Sequence, residues 1–213
     1  MTARLALITG LLGALTVTLL TIIGGAYFPN YSHASQFISE LGADGAPNAR
    51  LINLGGFLPA GILLIAFAFF ARRSLPRSVS TTLGMAGLAL FALGYLIAAF
   101  FPCEGDCRPA EPTLAQAIHN LFGLAGYLFA PLSLFLLGWQ ARRWPRAKHL
   151  SILGFIGAGF ALLGLLFLSP DFKYVGVAQR VREGSVLVWI TACALYLARP
   201  RDTRREMQDV MRN

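Results

Sequence analysis

Residues 51–71 read LINLGGFLPAGILLIAFAFFA, and RRSLPR follows directly. The run carries no charged residue. A helix rises about 1.5 Å per residue, so a run of this length reaches across the roughly 30 Å hydrocarbon core of a bilayer. The arginines and the proline that end it mark where water begins, because backbone in lipid has to satisfy its own hydrogen bonds and cannot continue as an open loop. Five more runs of the same kind flank it, closed by FFPCEGDCRP, QARRWPRAKH, LSPDFK and ARPRDTRRE. The expected spans are residues 5–28, 51–71, 79–101, 114–141, 150–168 and 177–198.

Composition agrees with this reading. The chain is 56% hydrophobic and 13% charged, against roughly half and a quarter in an ordinary soluble domain. The fold class is therefore all-α, a polytopic membrane protein built as a six-helix bundle, with residues 1–199 forming one transmembrane domain and residues 200–213 a basic cytoplasmic tail. The first run is too long for the core of a signal peptide and lacks a small-x-small cleavage site, so it is expected to be retained. Pro59 and Pro131 fall inside the second and fourth spans, where each removes a backbone donor and kinks its helix. Glycine clusters such as GLLG, GMAG and GFIGAGFALLG allow close helix approach in lipid.

Charge sets the expected orientation. Thirteen of the eighteen Lys and Arg residues, from Arg4 through Arg72, Arg73, Arg77, Arg142, Arg143, Arg146 and Lys148 to the C-terminal arginines, collect on one face, giving it a net +10. The other face holds five basic residues and seven acids, a net −2. Short basic flanks stay inside, so the basic face and both termini are assigned to the cytoplasm of a cell inner membrane. The overall +8 does not point to nucleic acid, because the basic residues flank helix ends without interleaved aromatics; topology and anionic membrane lipids account for them.

The polar residues concentrate on the other face. In YSHASQFISELGADGAPNAR, residues 31–50, Ser32, Ser35, Gln36, Ser39 and Glu40 follow a helical repeat, with Ala34, Phe37, Ile38 and Leu41 in the complementary positions. This predicts a short amphipathic helix of about two turns in the first outer loop, stopped at Gly42, acting either as a lid over a site or as an interfacial anchor. Downstream, Gln116, His119 and Asn120 share one helix face, and Gln179, Arg180 and Glu183 another. A histidine a turn inside a membrane helix has to meet an acid, a hydroxyl or a carbonyl. Arg180 and Glu183 have the spacing of a local ion pair, and the Arg180 guanidinium also has the fork that fits phosphate or carboxylate.

If these elements converge, Ser39, Glu40 and His119 are the candidate catalytic residues. Glu40 and His119 would exchange protons, and Ser39 would act as nucleophile only with a base in reach. Ser35, Asp106, Gln179, Arg180 and Glu183 would bind the substrate. Cys103 and Cys107 lie in FPCEGDCRP, where an oxidising compartment permits a disulfide; two free thiols are the alternative. A metal is disfavoured, since only Glu104 and Asp106 stand beside the sulfurs and no histidine is local. The chain has no G-x-S-x-G elbow, no H-E-x-x-H and no Walker loop, and no cofactor is expected.

On YSHASQFISELGADGAPNA, HNLFG and QRV, the chain resembles a family of small bacterial and archaeal integral membrane proteins known only as a domain of unknown function, family nine-nine-eight. The resemblance covers nearly the whole chain and rests on Tyr31, Ser32, Ser35, Ser39, Glu40, Leu41 and Gly42, then Asp106, His119, Gln179 and Arg180. It implies fold and location rather than an activity. A second, shorter likeness is to eukaryotic GPI-anchor remodelling and damage-regulated autophagy modulator proteins, also six-helix, whose Ile-Ser-Asp-x-Gly stretch is similar to Ile38–Gly42 with Glu40 in place of Asp.

Three functions are compatible with these residues. The first is binding, with modification as a further step, of a lipid or lipid-linked headgroup in an outer polar pocket. The second is a non-enzymatic membrane scaffold or stress-response accessory acting through its basic tail. The third is a small-molecule transporter, which the scarcity of ionisable residues at mid-span disfavours.

Overall fold

The computed structural model describes residues 1–169 and 171–199; the tail at 200–213, assigned above to lipid or partner contact, lies outside the described residues. The helices are α1 (Thr2–Ala26), α2 (Ala49–Ile52), α3 (Leu58–Ser74), α4 (Val79–Phe100), α5 (Leu114–Ala141), α6 (Lys148–Leu166) and α7 (Val175–Ala198). Six helices are long and apolar enough to cross a membrane, with Ala49–Ser74 counted as one. No β-strand forms among the described residues; an isolated bridge joins Asp44 and Glu104.

Each long helix packs on its neighbours in the chain, and α1 also packs on α7, so the six spans close into a ring. Side chains such as Leu64, Phe67, Leu88, Leu134, Trp189 and Ile190 fill the interior with almost no exposure. Leu12, Leu15, Leu19 and Ile22 of α1 and Leu124, Leu128 and Leu132 of α5 face outward, as expected where the solvent is hydrocarbon.

Backbones approach closely between α5 and α6. A Cβ on Gly154 would lie 2.5 Å from the Gly138 Cα and 2.8 Å from its nitrogen, so this crossing needs Gly154 of the predicted cluster and Gly138, which lies outside the predicted clusters.

Two local details differ from expectation. Pro59 does not lie inside a continuous α-helix but in the first turn of α3. The residues just before it, Asn53–Phe57, form a π-turn in which the Leu58 N–H reaches back to the Asn53 carbonyl. The wider turn lets the chain pass the missing proline donor without breaking the span.

The larger correction concerns residues 31–42. The two-turn amphipathic helix does not form: residues 33–36 make turns, and only Ser39–Gly42 coils, as a 3-10 helix. The backbone groups a helix would bond to itself are claimed by side chains. The Ser32 N–H donates to Gln36 Oε1 (2.8 Å), the Phe37 N–H to Glu40 Oε1 (2.8 Å) and the Ile38 N–H to Gln179 Oε1 (2.6 Å). Arg180 donates to the Gln36 carbonyl (3.0 Å). The segment is not laid flat on the surface. It is seated in one end of the ring, with Ile38, Glu40 and Leu41 buried.

Candidate functional site

That end of the ring contains a cavity of about 50 Å³. α4 contributes Phe91, Gly94, Tyr95 and Ala98; α5 contributes His119, Gly123 and Tyr127; α7 contributes Gln179 and Glu183. Ile38 and Ser39 of the seated segment and Phe57 of the π-turn complete the lining. A second cavity, of about 300 Å³ between α6 and α7, is lined almost wholly by apolar and aromatic groups such as Leu163, Phe167, Val177 and Val181. Only the first has groups capable of polar recognition.

Its polar wall is a continuous network. The Ile38 N–H donates to Gln179 Oε1, and Gln179 Nε2 donates to the Tyr127 hydroxyl (2.6 Å). The Tyr95 hydroxyl donates to Glu183 Oε2, beside the Tyr127 hydroxyl in the same lining. The second Glu183 oxygen faces Arg182 Nη2 at 3.4 Å, with Arg182 fully buried. The Arg182 guanidinium lies 3.0 Å from the centroid of the Tyr127 ring, a cation–π stack that compensates in part for its lost hydration. Its Nε and Nη1 have no protein partner. α7 can place these groups together because 179 and 183 are one turn apart, with 182 beside them on the inner face.

The residues predicted for the site divide into two sets. Ser39, His119, Gln179 and Glu183 line the cavity; Ser35, Glu40, Asp106 and Arg180 do not. His119 finds the carbonyl it needs: its Nδ1 lies 2.9 Å from the Phe101 oxygen. A carbonyl can only accept, so Nδ1 carries the proton and Nε2 is left as the ring's acceptor. The Ser39 hydroxyl sits 3.4 Å from Cys107 Sγ, and Cys107 is disulfide-bonded to Cys103.

Glu40 is turned into its own loop, where Gln36 Nε2 (2.7 Å) and the Phe37 N–H hold its carboxylate. Burial pushes its carboxyl above the usual carboxylate range, against the opposing pull of those two hydrogen bonds and of Arg108. Asp106 is exposed and accepts from the Arg108 N–H at 3.1 Å.

Arg180 and Glu183 do not pair; Glu183 takes Arg182 instead. Arg180 spans the gap between α7 and the seated segment. It donates to the carbonyls of Gln36 and Gly176 (3.0 Å each) and to the Tyr31 hydroxyl (2.7 Å), and lies 3.0 Å from His33 Nδ1. α7 comes so close here that a Cβ on Gly176 would lie 2.5 Å from the Gln36 oxygen and 2.6 Å from the His33 oxygen. Arg180 is thus a clasp on residues 31–36, with both terminal nitrogens engaged by protein and Nε buried without a partner. Gln116 plays a similar part for the next loop. Fully buried, it accepts from the Glu104 N–H (2.8 Å) and donates to Asn120 (2.9 Å).

Sequence reasoning missed Tyr95, Tyr127 and Arg182. The tyrosines sit in apolar helices and read as packing, and Arg182 reads as one more interfacial charge. The available signal was that a buried tyrosine hydroxyl needs a partner. Among the described residues no group of three His, Cys, Asp or Glu side chains is placed to hold a metal ion.

A helical membrane ring with a polar cavity at one end defines a multi-pass membrane protein. Within that class the chain belongs to the family described as Protein of unknown function (DUF998), whose model matches residues 11–196. No curated protein and no solved structure gives a significant match.

Proposed function

We propose that the cavity binds the polar headgroup of a lipid or lipid-linked molecule on the extracytoplasmic side of a cell inner membrane. One observation carries the reading: a carboxylate, an imidazole, two phenols, a carboxamide and a hydroxyl face one small space inside a ring of membrane helices. Most of these groups bond one another or nearby backbone, as buried polar groups must, and His119 Nε2 is left as an acceptor for a bound headgroup. The volume admits a single polar group rather than a whole lipid. No lysine or arginine is in the lining, because Arg180 is held by the loop and Arg182 stacks on the Tyr127 ring. The headgroup class favoured is one that donates hydrogen bonds, a hydroxyl or an amine, rather than one recognised as a bare phosphate. His119 and Ser39 stand in the same lining, so the imidazole is available for proton transfer at the bound group.

The test is to purify the protein in mild detergent, identify the lipids that remain bound by mass spectrometry, and repeat with His119→Ala and Glu183→Gln. Both variants are expected to lose the retained lipid that wild type carries. Glu183→Ala is expected in addition to destabilise the protein by about 3–5 kcal/mol, since it leaves Arg182 buried without its counter-charge. Identical retained lipid in wild type, His119→Ala and Glu183→Gln would rule the reading out.

A further inference from the structure

The walls of the cavity are not equally closed. Along the seam between α4 and α5 the two helices touch backbone to backbone at Gly126, where a Cβ would lie 2.9 Å from the Phe91 Cα. One turn nearer the cavity the contact loosens. A Cβ on Gly94 would only touch the Phe122 carbonyl (3.7 Å) and the Gly123 Cα (4.0 Å), and one on Gly123 would meet nothing within 4 Å. Yet Gly123 lies in the middle of the inward-facing stripe of α5, in helical register with buried Gln116, Gly126 and Ala130. At such a position a side chain would ordinarily fill space. Both glycines line the cavity and both are partly exposed.

The end of the ring above this slot is sewn shut. The Asp44 N–H donates to the Cys103 carbonyl (2.8 Å), the Glu104 N–H to Gln116, and His119 holds Phe101, while Ser39 rests against the disulfide. The slot itself lies lower. Gly94 is six residues before the end of α4 and Gly123 nine after the start of α5, which is roughly 9 and 13 Å along the helices. That depth lies within the two apolar spans. The outer part of the slot, at Gly94, Ala98 and Gly123, is apolar, and the inner part, at Tyr95, Tyr127 and Glu183, is polar.

We infer that the cavity is entered sideways from the bilayer, between α4 and α5, by an amphiphile whose headgroup reaches Glu183 and Tyr127 while its chain stays in the slot at Gly94 and Gly123. The inference rests on the headgroup reading above and narrows its substrate class to molecules resident in the membrane. It makes Gly123 a specificity-determining position, because any side chain there stands in the entrance.

The full chain is reconstituted into phosphatidylethanolamine–phosphatidylglycerol vesicles containing a trace of phosphatidylethanolamine with a photoactivatable diazirine on one acyl chain, and crosslinked peptides are mapped. Wild type is expected to crosslink at the cavity-lining Tyr95, His119 and Tyr127 as well as on the outer stripe of α1. Gly123→Leu is expected to lose the crosslinks at these three cavity residues and keep those on α1, which also reports that it is folded. As an independent measure, Gly123→Cys is expected to react with a bilayer-partitioning maleimide and to resist a charged, water-confined one. Unchanged crosslinking in Gly123→Leu, absence of the α4 and α5 crosslinks from wild type, or equal reaction of Gly123→Cys with both reagents would overturn the inference. Failure of the headgroup reading alone looks different: His119→Ala and Glu183→Gln leave retained lipid unchanged while the α4 and α5 crosslinks persist.

Discussion

His33 shows how one exposed side chain comes to be tied to the integrity of the site. Its Nδ1 lies 3.0 Å from an Arg180 nitrogen. The guanidinium can only donate, so this ring nitrogen accepts and the imidazole is neutral. Burial, and the positive charge of Arg180, push its pKa below the ordinary histidine value. The folded protein therefore binds fewer protons than the unfolded chain between the lowered value and about 6.5. The contribution of this contact is complete above that window and is lost as pH falls through the lowered value, when N–H would face N–H. Amide hydrogen exchange over residues 31–38, measured from pH 7.5 downward and compared with His33→Gln, is expected to show extra opening on acidification in wild type alone. The buried Glu40 works in the opposite sense. Its raised carboxyl costs stability at neutral pH, and that cost disappears on acidification, so the His33→Gln comparison is needed to isolate the histidine.

At the scale of elements, α6 contains its own controlled experiment. Gly154 and Gly159 stand five residues apart in GFIGAGF, but a Cβ on Gly154 would strike the α5 backbone, whereas one on Gly159 would meet nothing within 4 Å. Gly154→Ala is expected to lower stability by about 1–3 kcal/mol through overpacking. Gly159→Ala is expected to leave it unchanged or raise it by up to about 1 kcal/mol through helix propensity. Thermal unfolding of the two variants in the same detergent checks both. The contrast also shows what kind of information sequence carries. The six spans were legible because length and apolarity are properties of each run alone, and capping agreed locally, with Ser78 accepting from the Thr81 N–H and Thr113 from the Gln116 N–H. Which glycine in a cluster is indispensable depends on the facing helix and was not legible. The same limit explains residues 31–42. Their periodicity fits a helix, but Gln179 and Arg180, more than 140 residues away, take the backbone partners that helix would need. Of the predicted site, Ser39, His119, Gln179 and Glu183 were readable as polar groups near one interface. Glu40 and Arg180 have the same signature and differ only in which way the fold turns them.

For the molecule as a whole, orientation decides what the cavity meets. The ends of α3 and α5 carry Arg72, Arg73, Arg142 and Arg143, and the turn leading to α6 carries Arg146. Arg73 lies over the Phe69 ring at 4.2 Å and Arg142 over the Trp139 ring at 3.5 Å, an arrangement that suits cationic heads rising past aromatic rings at a membrane boundary. The opposite end holds the disulfide and the seated segment. On the proposed orientation, in which short basic flanks resist translocation, the arginine-rich end lies in the cytoplasm and the cavity outside, where an oxidising compartment would also sustain the Cys103–Cys107 bond. In a Cys193→Ala background, so that no native free thiol remains, a cysteine at Pro47 is expected to react with a membrane-impermeant maleimide in intact spheroplasts. A cysteine at Arg143 is expected to react only after lysis. The reverse pattern would place the cavity on the cytoplasmic side. It would then be the cytoplasmic leaflet that supplies its ligand, and a disulfide at that end would have to persist under reducing conditions.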